Sequence, residues 1–177
     1  MIEIKHAATL LALTLSALGL TSFSSATTPE QETRPQAERK QPARTWSIEL
    51  GKLAPDFELV DTRGEQWKLS EHRGKVVVLE WYNPECPVVR KAHTAGQSLA
   101  NLGNDAIDKG VVWVGINSGA PGAQGAGVKA NEAGIKSMGI QYPILLDESG
   151  WVGRMYEATN TPHMFIVDKD GTLVYRG

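Results

Sequence analysis

The stretch Val76-Val77-Val78-Leu79-Glu80-Trp81-Tyr82-Asn83-Pro84-Glu85-Cys86-Pro87-Val88-Val89-Arg90 decides the fold. Its first six residues follow Gly74 and are apolar or β-branched save for Glu80. They read as a central strand buried on both faces. Tyr82 to Glu85 reads as a loop, and Pro87 suits the first position of a helix, whose early N–H groups have no partner in any case. Cys86 thus stands at a helix amino terminus. The free N–H groups and the positive end of the helix dipole favour thiolate there, lowering the pKa below the free value of ~8.5. Arg90, one turn on, adds positive potential to the same face. A free cysteine is often only a small buried apolar residue, but a strand-to-helix junction closed by proline points to a reactive one.

Working outward, Phe57–Val60 and Gln66–Leu69 flank the turn signal Asp61-Thr62-Arg63-Gly64 and predict a hairpin. A helix is expected from about Pro87 to Leu102, with Val88, Ala92, Ala95, Leu99 and Leu102 on its apolar face and Gly103 closing it. Val111–Ile116 predicts a second buried strand, and a Gly/Ala-rich loop (118–127) leads into a helix near 128–138. Tyr142–Leu146 reads as a short strand and Trp151–Glu157 as a helical turn or two. His163–Val167 and Thr172–Tyr175 form a closing hairpin across Asp168-Lys169-Asp170-Gly171. Strands alternating with helices and ending in a hairpin argue an α/β domain with a mixed central sheet.

A short start carrying Lys5 precedes an apolar run from Ala7 to Leu20 and the small residues Ser24-Ser25-Ala26. The run is about 14 residues, short of the ~20 that span a bilayer, so residues 1–26 read as a cleavable export signal. The other reading is an uncleaved anchor, which would be the one membrane contact. Residues 27–45 lack Val, Ile, Leu, Met and aromatics and read as a disordered linker. The domain then runs from Trp46 to Gly177. A formal charge of −2 gives no footprint for nucleic acid. The single cysteine excludes an internal disulfide framework, and it stands out in an exported, periplasmic or secreted protein.

The Val76–Arg90 stretch resembles the active-site strand, loop and helix of the thioredoxin-like superfamily. Ala54-Pro55-Asp56-Phe57-Glu58-Leu59 with Asp61-Thr62-Arg63-Gly64 is similar to the opening of redoxin domains of the alkyl hydroperoxide reductase/thiol-specific antioxidant class, the peroxiredoxin-like group. Thr161-Pro162-His163-Met164-Phe165-Ile166-Val167-Asp168, followed by Asp170-Gly171, resembles their proline-containing strand and final hairpin. The resemblance covers roughly Leu50 to Gly177 and implies a thioredoxin-like fold with an N-terminal β-hairpin. Such domains carry a further helix after the closing hairpin; the chain stops at Arg176-Gly177, which leaves open a fragment or a sheet face covered otherwise. Two departures bear on activity. Val89 stands where thioredoxins carry a second cysteine. Leu79 and Asn83 stand where peroxiredoxins carry Pro and Thr.

The resemblance implies a thiol-based oxidoreductase with Cys86 as nucleophile. Glu80 matches the buried carboxylate that exchanges a proton with the sulfur or leaving group, and Asn83 offers a polar group near a peroxide. Trp81, Pro87, Arg90, Thr161, Pro162 and His163 are the expected substrate-binding residues, with Pro162 cis and the Thr161 backbone turned to the substrate. With one cysteine, a sulfenic acid or mixed disulfide would be cleared by an external thiol reductant, after attack on a peroxide or protein disulfide. No metal or organic cofactor is called for. Two other readings stand beside this one: a noncatalytic thioredoxin-fold binding module, and a copper-handling protein using Cys86 with His163 or His93. His93 itself is expected to be solvent-facing or packed.

Overall fold

The computed structural model describes residues 48–94, 96 and 98–177. The expected signal (1–26), the linker (27–45) and Trp46 lie outside the described residues. Among the described residues, seven strands form one mixed sheet: β1 (Glu58–Asp61), β2 (Gln66–Lys68), β3 (Val77–Trp81), β4 (Val112–Asn117), β5 (Ile144–Leu146), β6 (His163–Val167) and β7 (Leu173–Arg176). Their order across the sheet is β2-β1-β5-β4-β3-β6-β7. β3 runs parallel to β4 and antiparallel to β6, so its whole length is paired on both edges. Helices α1 (Pro87–Thr94), α2 (Leu99–Asp108), α3 (Gly127–Met138) and α4 (Trp151–Met155) fill the connections.

Period-two alternation sends β3 into two cores. Val77, Leu79 and Trp81 pack with Val114, Ile116, Phe165 and Leu173, under Val152 and Met155 of α4. Val78 packs on the other face with Tyr82, Trp113 and Ile144, under Val89 of α1, Ala100 of α2 and Met138 of α3. Glu80 shares that second face and is fully buried. The N-terminal hairpin closes on Asp61, whose carboxylate accepts the backbone N–H groups of Arg63 (2.8 Å) and Glu65 (3.0 Å). Burial opposes ionisation of Asp61, but those amides and the Arg63 side chain outweigh it and hold the pKa below its usual value.

The mixed sheet, both hairpins and the strands appear where the pattern puts them. The long helix expected from Pro87 to Leu102 is two helices. Ser98 starts the second, its hydroxyl accepting the N–H of Asn101 at 3.1 Å, and Gly96 before it has φ +43. The buried face also differs. Val88 and Leu102 are exposed, whereas Val89, His93, Ala100 and Gly103 are the residues turned inward. Gly103 is no cap; it lies within α2, where a Cβ would come 2.5 Å from Tyr142 Cε1 and 3.3 Å from Trp113 Cδ2.

Helix propensity alone favours Ala over Gly by about 1 kcal/mol, whereas overpacking a core costs about 1–3 kcal/mol. Crowding by two rings wins here, so Gly103→Ala lowers the thermal unfolding midpoint. A raised midpoint would mean that Tyr142 and Trp113 yield freely.

Candidate active site

Strand β3 ends at Trp81, and the chain turns through Tyr82–Glu85 to deliver Cys86 to the head of α1. The turn is held by Asn83, whose carbonyl accepts the Cys86 N–H at 3.1 Å. Its side-chain oxygen accepts the Glu85 N–H at 2.9 Å, and its amide donates to the Gln124 carbonyl at 3.1 Å. Asn83 is therefore spent on loop structure, joining the cysteine turn to the Gly-rich segment before α3.

The Cys86 sulfur is partly buried, 3.4 Å from the carbonyl oxygen of Thr161, to which the S–H donates. The Thr161-Pro162 peptide is cis, as the resemblance implies. Burial pushes the thiol pKa up, but the Thr161 side chain and the backbone N–H groups of Val89 and Val88 outweigh it, and the net direction is down. The cause is the one a helix start supplies: amides without intrahelical partners turned toward a developing anion. Pro87 and Arg90 lie exposed beside the sulfur, with Thr161 and Pro162 half-buried across from it.

Two expected pocket residues lie elsewhere. Trp81 is buried in the opposite core, its Nε1 donating to Ser118 Oγ at 3.1 Å and its ring 5.0 Å from Phe165. An odd position on β3 forces it away from the face that carries Glu80. His163, opposite Trp81 in the ladder, shares that side and packs its ring 4.6 Å from Phe165. Burial, helped by Arg176, holds its pKa below the usual value. Copper ligation by Cys86 with His163 or His93 is not assembled, since His163 faces the other core and His93 is buried against Glu80.

Glu80 sits beneath α1 on the cysteine side of the sheet. Trp113 Nε1 and the Tyr142 hydroxyl both donate to its Oε2 at 3.1 Å, and His93 Nε2 lies 3.0 Å from Oε1. His93, Trp113 and Tyr142 escaped the sequence reading as a set. A signal existed only for His93, four residues after Val89 on the inward face. Among the described residues no helix is long and apolar enough to cross a membrane.

A thiol at a helix start, facing an X-Pro segment across a mixed sheet, defines a thiol-dependent oxidoreductase of the thioredoxin-like fold. More narrowly, the chain belongs to the AhpC/TSA family, which it matches over residues 50–176. It is 30% identical over 128 residues to the thiol-disulfide oxidoreductase ResA of Bacillus subtilis, covering 72% of this chain and 66% of that protein. ResA of Geobacillus kaustophilus is 27% identical over 127 residues, covering 72% and 68%. The chain thus spans about two thirds of the length of these relatives. A solved structure of a hypothetical protein from Sinorhizobium meliloti is similar with a TM-score of 0.66 and 32% identity, covering 74% of this chain and 71% of that one.

Because the Thr161 side chain helps to ionise the sulfur, Thr161→Val raises the Cys86 pKa and leaves less thiolate at neutral pH. Alkylation by a neutral reagent at pH 7 slows roughly three- to tenfold, and its pH profile moves upward. An unshifted profile would remove Thr161 from the account.

Proposed function

We propose that this protein is an exported monothiol disulfide oxidoreductase, with Cys86 as nucleophile and an outside thiol as reductant. The observation that carries the reading is the sulfur's setting. A partly exposed thiol is lowered in pKa by the Val88 and Val89 amides and faces Thr161 at 3.4 Å. The Cys86 thiolate attacks one sulfur of a substrate R–S–S–R′. A Cys86–S–S–R bond forms, the R–S–S–R′ bond breaks, and R′S⁻ leaves to take a proton from solvent. A second thiolate, R″S⁻, then attacks the R sulfur, giving R–S–S–R″ and returning Cys86 as thiolate. The R′ half of the substrate leaves as a thiol and the outside thiol takes its place in the R–S–S–R″ disulfide, so the exchange balances in electrons without a second cysteine.

The amides of α1 stabilise the sulfur as the charge returns to it. Pro87, Val88 and Arg90 form the exposed rim on one side, and Thr161 and Pro162 the other; the substrate chain lies between them. Disulfide exchange is favoured over peroxide reduction because the Asn83 carboxamide is already committed to Glu85 and Gln124. The kinship with proteins named thiol-disulfide oxidoreductases supports the same choice. Export is proposed from the charge, apolar run and small residues of positions 1–26.

The test is intact mass after mixing the reduced protein with a small symmetrical disulfide. One half-disulfide adduct is expected per chain, lost on addition of excess thiol and absent in Cys86→Ser. Turnover of the disulfide by the thiol falls to the uncatalysed rate in that variant. Three results would overturn the reading: no adduct, adduct formation at equal rates in folded and denatured protein, or reaction with peroxide alone. Equal rates would favour the noncatalytic module.

A further inference from the structure

The buried group that disulfide exchange at Cys86 does not itself consume is the pair beneath α1. Glu80 and His93 side chains are both fully inaccessible to solvent. Glu80 is placed by β3, and His93 by the third turn-facing position of α1, four residues after Val89. The hydrogen count around them is informative. His93 Nδ1 lies 2.8 Å from the Val89 carbonyl oxygen, an acceptor only, so Nδ1 carries a proton. Oε2 of Glu80 accepts from Trp113 and from the single hydroxyl proton of Tyr142. Oε1 has no hydrogen-bond partner, although His93 Nε2 stands 3.0 Å from it as an ion-pair contact; the hydrogen bond of Nε2 is with the Tyr142 oxygen at 3.2 Å.

With Glu80 ionised, a bare lone pair on Nε2 would face the lone pairs of both Oε1 and the Tyr142 oxygen, whose one proton goes to Oε2. One more proton on Nε2 relieves both contacts. It donates to the Tyr142 oxygen, and the imidazolium 3.0 Å from Oε1 cancels a carboxylate charge that would be costly alone in an apolar core.

We propose that His93 is a buried imidazolium, the fixed counter-charge of Glu80 and a positioning residue for Cys86. This rests on the disulfide-exchange reading only for its consequence, not for its chemistry. The link to the sulfur runs through Val89. Its N–H is turned to Cys86, and its carbonyl accepts from His93 Nδ1, so one residue joins the sulfur's donor to the buried pair. Unpaired, the Glu80 charge beneath the helix would oppose a second negative charge on the sulfur; paired, it does not.

Other groups facing His93 are few. From beyond β3 comes Tyr82, its ring edge-on at 5.6 Å, and from the segment before β5 comes Tyr142. Burial, and Glu80 after it, raises the pKa of both phenols, so neither supplies a charge near neutrality. α2 brings Ala100 and Gly103, and α3 brings Met138, none of them titratable. On α1 itself, Arg90 and Lys91 are exposed to solvent, and Cys86 stands at its head. Burial pulls the imidazole pKa down, but the hydrogen bond and charge of Glu80, with the Val89 carbonyl, outweigh it.

The experiment has two readouts on the full chain. Long-range proton–nitrogen correlation spectra of the labelled protein report both ring nitrogens of His93 as protonated at pH 7, with loss of the proton only above the usual value of ~6.5. In Glu80→Gln the ring reverts to the neutral Nδ1–H form at that pH. A neutral ring at pH 7 in the unaltered protein overturns the proposal, whether or not Cys86 turns over disulfides. The second readout is the alkylation profile of Cys86. His93→Gln shifts it to higher pH and slows the reaction at pH 7 about tenfold, whereas the neutral pair Glu80→Gln/His93→Gln recovers to within about threefold. A profile unchanged in His93→Gln, or a double variant as slow as the single, means packing and not charge. Should His93→Gln fail to fold, the spectra and the double variant still decide.

Discussion

The contact between Cys86 and Thr161 depends on the pairing of β3 with β6. The ladder runs from Val77 opposite Val167 to Trp81 opposite His163. Five residues past the end of one strand lies the cysteine, and two residues before the start of the other lies Thr161. A slip of one residue would send each side chain of β3 to the opposite face, because the strand period is two. Glu80 would then enter the aromatic core of Tyr156 and Phe165, and Trp81 would leave it. The burial of β3 between β4 and β6 is therefore what holds the sulfur against the segment it faces.

On that frame the two faces of β3 have different work. One is aromatic and apolar; in it Trp81 donates to Ser118, itself 2.7 Å from Asp147 Oδ2, while His163 Nδ1 is left without a hydrogen-bond partner. The other carries a carboxyl group, an imidazole, an indole and a phenol in one closed set. Burying such a set is weak evidence for stability, since desolvation offsets much of the attraction. Its place under the first turns of α1, joined to the sulfur's donors through Val89, gives it a reason to be there that packing alone does not.

Much of this was legible in the residues. The β-branched run of β3, the Cys86-Pro87 junction and the turn residues of both hairpins each have a local physical meaning, and local meaning survives folding. The misreadings come where partners are distant in sequence. The apolar spacing from Val88 to Leu102 reads straight across Ser98, whose capping of Asn101 shows only in the structure. Gly103 looked like a helix end because its crowding by Tyr142 and Trp113 belongs to the tertiary fold. Trp81, near Cys86 in the chain, and His163, beside Pro162, are expected at the site from their neighbours and the resemblance, although alternation along the strands turns both away. Glu80 was legible as a carboxyl in an apolar strand. Its partner was not, because His93 meets it only once α1 has folded back over the sheet.

All of this assigns the reactivity of Cys86 to amides and a Thr161 side chain arranged by the fold rather than to the thiol itself. The most direct measurement is a titration of the thiolate ultraviolet absorbance in folded and in denatured protein. The folded chain should ionise at clearly lower pH than the denatured one, whose thiol returns to the ordinary range near ~8.5. Coincident curves, or a folded curve displaced upward, would contradict the account at its root.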